Sequence, residues 1–146
     1  MTNLPRKMLC FLMAFVLFLG VMPNIAFASI EERQDGLRVI NASFLDESIT
    51  SNGDVIADVT VKNEGGKPAL VKAYIVYYNA SGNVKDVASA SKTIPAQSED
   101  FIRVSLYIGE AVEGEKAKLL VWKENDSALD PLIYPVTIYY NGDGEE

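Results

Sequence analysis

The octapeptide Val55-Ile56-Ala57-Asp58-Val59-Thr60-Val61-Lys62 changes character at nearly every residue. Val55, Ala57, Val59 and Val61 form one row, and Ile56, Asp58, Thr60 and Lys62 form the other. Successive side chains of a strand point to opposite faces, so this period of two predicts a strand with one clearly buried face. The segment ends at Glu64-Gly65-Gly66-Lys67-Pro68, where glycines allow positive φ and Pro68 offers no ladder donor.

The same period recurs on both sides. Upstream, Leu37–Phe44 reads as a strand, followed by a polar turn over residues 46–54 containing Asn52-Gly53. Downstream, Ala69–Tyr78 is apolar on both faces, which predicts a central strand. Asn79-Ala80-Ser81-Gly82-Asn83 is a hairpin signal. Residues 84–92 are small and polar, as suits an edge strand. In residues 101–108, Ile102, Val104, Leu106 and Ile108 face inward, and an acidic turn follows at 109–114. Residues 116–123 place Leu120 and Trp122 on one face, with Trp122 expected in the core, where an aromatic buries a large area. Residues 132–140 form the last expected strand. Its inward row is Leu132, Tyr134, Val136, Ile138 and Tyr140, and Pro135 confines it to a sheet edge.

Nothing after residue 28 sustains a helical stripe. The expectation is an all-β, seven-stranded antiparallel β-sandwich of immunoglobulin-like or fibronectin III-like kind, with a closed barrel as the alternative. The sandwich spans residues 37–140, after a lead-in at 29–36 and before an acidic tail at 141–146 expected to be disordered.

Residues 1–28 read differently. Arg6 and Lys7 precede an uncharged apolar run over residues 8–21, broken by Pro23, and Ala26-Phe27-Ala28 supplies the small residues of a signal peptidase site. This predicts a secretory signal cut between Ala28 and Ser29. The uncharged stretch 8–30 is long enough for an uncleaved anchor, but a span has no need of Ala26 and Ala28. Cys10, the single cysteine, leaves with the signal, so the mature domain has neither disulfides nor thiol chemistry. A lipid anchor there is not expected, because Lys7-Met8-Leu9 lacks the small residue of a lipoprotein signal.

Two of the 13 Lys and Arg and none of the 20 Asp and Glu precede Ser29, so the mature net charge is 11 − 20 = −9. Such a domain repels phosphate backbones and anionic lipid, so neither nucleic acid nor membrane is an expected partner after cleavage. The acidity also keeps a domain soluble.

Four segments together resemble an immunoglobulin-like or fibronectin type III-like accessory module of secreted and cell-surface proteins of Gram-positive bacteria. They are Val61-Lys62-Asn63-Glu64-Gly65-Gly66-Lys67-Pro68, Tyr78-Asn79-Ala80-Ser81-Gly82 (with Asn79 where Asp is usual), Thr93-Ile94-Pro95-Ala96, and Lys118-Leu119-Leu120-Val121-Trp122 followed by Asp130-Pro131-Leu132. The resemblance implies an accessory role beside enzymes, adhesins or wall-anchoring repeats.

The chain contains no histidine. The usual nucleophile–base pairs and zinc ligands are therefore missing from the mature part, and no enzyme or cofactor is expected. The acidic loops at 46–54 and 125–130 could hold calcium, although turn chemistry accounts for them equally. Asn41, Asn79 and Asn125 begin glycosylation triplets that short sequences meet by chance. Tyr77, Tyr107 and Tyr139 are the candidate ligand-facing aromatics. The expected function is a non-catalytic exported module binding a protein or cell-wall component at the cell surface. A carbohydrate-binding module using exposed aromatics is the alternative, and a row of coplanar exposed rings would distinguish it.

Overall fold

A computed structural model describes residues 36–124 and 129–142. The signal segment with Ala26, Ala28 and Ser29, the Asn125 triplet and the end of the acidic tail lie outside the described residues. The described residues form eight strands and no helix: β1 Leu37–Phe44, β2 Gly53–Asn63, β3 Ala69–Tyr78, β4 Val84–Ile94, β5 Ser98–Ile108, β6 Lys116–Glu124, β7 Leu129–Pro131 and β8 Val136–Tyr139. One sheet has the order β1-β2-β5. The other has the order β4-β3-β6, and both β7 and β8 pair with the far side of β6. All strand pairs are antiparallel.

The alternating residues of β2 and β5 explain the three-stranded sheet. Val55, Ala57, Val59 and Val61 are buried, as are Ile102, Val104, Leu106 and Ile108 across the β2–β5 ladder. Val71, Ala73, Ile75 and Tyr77 of β3 meet them from the second sheet together with Ala117, Leu119 and Val121 of β6. Each fully buried Val, Leu or Ile contributes about 1.5–3 kcal/mol, so two interdigitating rows hold the sheets together without a cross-link. β4 is largely exposed at the sheet edge.

The last expected strand is two strands rather than one. β7 pairs with Trp122, Lys123 and Glu124, and β8 pairs with residues 116–119. Two residues of β6 separate those ladders, against four, 132–135, on the edge side. The surplus loops out, with Pro135 in the break and Tyr134 at 85% exposure. Tyr134 is therefore not a core residue. Leu132 still donates its N–H to the Val121 carbonyl at 2.8 Å and is buried, so the split edge closes the sandwich within the chain.

The 46–54 segment is more than a polar turn. Ile49 is buried, and its N–H donates to the Tyr139 carbonyl at 3.0 Å, which ties the β1–β2 connection to β8.

Candidate functional site

The three expected ligand aromatics do not share a surface. Tyr77 is a correction: it follows Ala73 and Ile75 on the inner face of β3 and is only 3% exposed. Tyr107 is 61% exposed on the outer face of β5, opposite Asp54 of β2. Tyr139 is 53% exposed and pairs with Lys116 on the outer face of the five-stranded sheet. Tyr107 and Tyr139 thus look out from opposite sides of the sandwich and cannot form one platform.

Register assembles a different group. On the outer face of β3 and β6, Lys72 stands opposite Trp122, Tyr74 opposite Leu120, Val76 opposite Lys118 and Tyr78 opposite Lys116. Trp122 is half-buried here, not in the core, because Ala117, Leu119 and Val121 occupy the inward positions of β6. Its ring centroid lies 5.4 Å from that of Tyr74, with the planes tilted by 51°. The Lys118 ammonium sits 5.4 Å from the Tyr78 ring centre, a cation–π contact. Lys72 pairs with Glu124 at 2.6 Å, and this hydrogen bond holds its ammonium above the ordinary lysine value. The result is an apolar centre of Tyr74, Val76, Leu120 and Trp122 between lysines and Glu124, with Tyr139 at the margin.

Beneath the opposite end of this sheet lies a buried polar cluster. Glu115 is 2% exposed and accepts hydrogen bonds from the Tyr77 hydroxyl, from Lys85 Nζ at 2.6 Å and from the Val112 N–H at 3.1 Å. Burial pushes its carboxyl up, but the bonds from Lys85, Tyr77 and Val112 outweigh it and hold the group below its ordinary value. Burial, and then the bond to Glu115, raises the Tyr77 phenol well above its usual range. The Lys85 ammonium also lies 4.9 Å from the Tyr77 ring centre. With its carboxylate satisfied on three sides, this cluster is built as a structural tie between β3, β4 and the turn before β6. A nearby depression of about 360 Å³ is lined by Glu113, Tyr140, Asn141 and Gly142.

A second buried polar residue, Asn63, sits at the end of β2. Its amide donates to the Lys67 carbonyl at 2.8 Å and the Ile94 carbonyl at 3.1 Å, and its oxygen accepts from the Gly65 N–H at 2.9 Å. This is the physical content of the Asn63-to-Pro68 motif: one side chain closes the turn and fastens it to the end of β4. Gly36 allows the turn to pack closely, since a Cβ there would stand 2.6 Å from the Gly65 nitrogen, and its φ is +83°.

Among the described residues, no three Asp, Glu, His or Cys side chains converge as a metal-binding group. In the 46–54 loop, Ser51 Oγ accepts the Ala111 N–H at 3.2 Å and so serves the loop's own packing.

No family model and no curated protein sequence matches the chain. Among solved structures, the C-terminal domain of Wzt is similar with a TM-score of 0.55 and 14% identity, over 76% of this chain and 77% of that one. The alkylpurine DNA glycosylase AlkC of Pseudomonas fluorescens, bound to DNA with an abasic site analogue, is similar with a TM-score of 0.53 and 13% identity. That match covers 72% of this chain but only 30% of the glycosylase. At these identities the likeness shows a shared β-sandwich fold.

Proposed function

We propose that this chain is an exported, non-catalytic binding module of a Gram-positive cell surface, and that the outer face of its five-stranded sheet binds a protein partner. The observation that carries this reading is the apolar group Tyr74, Leu120 and Trp122 beside the buried Val76, which register brings to the middle of one sheet face between charged ends, Lys72 with Glu124 at one and Lys116 with Lys118 at the other. Aromatics at the centre and charges at the margin are the anatomy of a protein docking surface. The Asn63 turn supports the resemblance to accessory modules of secreted proteins. So does the strand order β1-β2-β5 against β4-β3-β6 with its split edge, which suits a fibronectin III-like sandwich.

Carbohydrate binding is the second reading, favoured by the exposed Tyr139 on the same face. The 51° tilt between Tyr74 and Trp122 weighs against it, because a sugar ring stacks on flat, aligned platforms. The test is retention of the processed protein by washed walls of its own cells, before and after the wall proteins are digested. Loss of retention on digestion, and on Leu120→Lys with circular dichroism unchanged, is the expected result. Retention that survives digestion and yields to soluble polysaccharide would replace the protein reading with the carbohydrate one. N-terminal sequencing of the exported protein should begin at Ser29, and a product starting at Met1 would overturn the export step.

A further inference from the structure

Among the described residues the sandwich has four sheet edges, and three of them are interrupted or covered along their length. β1 carries a bulge between Val39 and Asn41. β7 and β8 are separated by a break at 132–135, which follows Pro131 and ends on Pro135. On β5, the Phe101 backbone is occupied by side chains: its N–H donates to Asp100 Oδ1 at 2.8 Å, and its carbonyl accepts from Lys92 Nζ at 3.4 Å. Bulges, breaks and side-chain covers are the ordinary defences of an open edge.

β4 carries the same devices only at its start, a register shift beside Lys85 and the Asp86 carboxylate on the Val87 N–H; from Ala88 to Ile94 it has neither. It runs eleven residues with no proline or glycine, and its ladder with β3 is unbroken from Ile94 to Asp86. Its centre is Ala88-Ser89-Ala90-Ser91, small enough for another backbone to approach. The Val87 N–H is taken up by the adjacent Asp86 carboxylate at 2.7 Å. A group satisfied in that way is turned to the free edge rather than to β3. By alternation, Ser89 and Ser91 turn their backbone groups the same way.

We propose that β4 is a self-association edge. Two copies pair antiparallel about a two-fold axis at Ser89, joining their five-stranded sheets into one continuous sheet. A second copy is favoured over a foreign strand because this strand is complementary to itself. With Ser89 opposite Ser89 of the second copy, Val87 meets Ser91, Ala88 meets Ala90 and Asp86 meets Lys92, and the symmetry repeats each pair. Asp86 and Lys92 lie on the same face of the sheet, since they register with Tyr77 and Val71 on β3. Each Asp86 leaves its own Val87 N–H, which the ladder now satisfies, and approaches the Lys92 ammonium of the other copy, which its Asp100 holds from the other side at 2.6 Å. An isologous contact of this kind closes on itself, so the product is a dimer and not a fibre. This inference is independent of the aromatic face, which the dimer leaves open.

The interface is one strand wide, so it belongs to the small, reversible class. The test is sedimentation velocity on the chain as an exporting host processes it, up to about 500 µM, where a self-affinity of about 1 mM or tighter shows as dimer. The wild type should show a monomer–dimer equilibrium. Asp86→Lys sets two ammonium groups against each other on both sides of the axis and should weaken the dimer about tenfold or more. Lys92→Asp should do the same with carboxylates. The double exchange, Asp86→Lys with Lys92→Asp, should restore association, which a merely structural effect of either substitution would not do. Circular dichroism on each variant checks the fold. A wild type that stays monomeric overturns the proposal, as does a dimer indifferent to the single variants or a folded double variant that stays apart.

Discussion

Glu115 and Asp58 meet their cations at the same distance and differ in almost everything else. Lys85 Nζ lies 2.6 Å from Glu115, and Arg103 Nη2 lies 2.6 Å from Asp58, with Arg103 Nε a further donor at 2.7 Å. Both carboxyls are held below their ordinary values, Asp58 first by the hydrogen bonds of Arg103. By geometry alone the Asp58 pair is the better one, being bidentate. Yet it lies across the outer surface of β2 and β5, where water and salt replace it readily, and exposed pairs contribute about 0–1 kcal/mol. Glu115 has no such alternative. Its neighbours are Tyr77, Lys85 and the Val112 N–H, and without them it would be a bare charge in the core. Burial, more than bond length, decides how much of the fold depends on a polar contact.

The widest separation between the two sites should come from removing the acids themselves. Glu115→Ala leaves the buried Tyr77 hydroxyl without its acceptor and takes away that of the Val112 N–H. Breaking a buried pair typically costs about 3–5 kcal/mol. Lys85 is partly exposed and can turn to water, so the lower end of that range is expected. Urea unfolding monitored by circular dichroism measures it. A loss below about 1 kcal/mol would mean that the cluster is not the tie described above.

A smaller effect should follow from taking one bond away while the charge stays. Tyr77→Phe keeps the ring in the core and the Lys85–Glu115 pair intact, and removes only the hydroxyl. An unsatisfied buried acceptor costs about 1–3 kcal/mol, and Glu115 retains two donors, so about 1–2 kcal/mol is expected. The same unfolding experiment should place this variant between Glu115→Ala and the wild type. Equality with Glu115→Ala would show that the Tyr77 bond carries the whole cluster.

What the sequence revealed of this contrast follows from the pleat. In β2 and β5 the two faces differ sharply, and the inward rows Val55–Val61 and Ile102–Ile108 were readable from alternation alone. In β6, Leu119-Leu120-Val121-Trp122 is apolar on both faces, so the period cannot say which row turns inward. The size of Trp122 argues for its row as the inward one, while the structure places it beside Tyr74 on the outer face. Glu115 falls between the acidic turn at 109–114 and the strand expected at 116–123, so neither reading assigns it a role. Extending the inward row Val121, Leu119, Ala117 back by two residues lands on Glu115, and extending Val59 and Val61 forward lands on Asn63. Both buried polar residues continue a row of core positions, and that was the available signal. The split between β7 and β8 left no such trace, because it depends on how many residues of β6 face the gap, which is a matter of pairing and not of local sequence.

The smallest effect should be Asp58→Asn, and its size is where acid unfolding separates the two carboxylates. A carboxyl whose folded pKa is depressed stabilises the native state above its unfolded pKa, and that stability is lost as pH falls through the folded value. Both Glu115 and Asp58 therefore act in the same direction: the wild type should be at full strength above about pH 5 and weaken progressively below the ordinary carboxyl values of 4.5 and 3.8. At neutral pH, Asp58→Asn should cost no more than about 1 kcal/mol, shrinking further as added salt screens the pair. Its stability should still fall with acid nearly as steeply as that of the wild type, because Glu115 remains. Glu115→Gln should start from a lower neutral-pH stability and then lose less as pH drops, since the buried site has no carboxylate left to protonate. Thermal melts of the three proteins from pH 7 to pH 3 in low and moderate salt would measure this. A salt-insensitive loss above about 2 kcal/mol for Asp58→Asn would reverse the ranking of the two sites and make the exposed bidentate pair the stronger structural element.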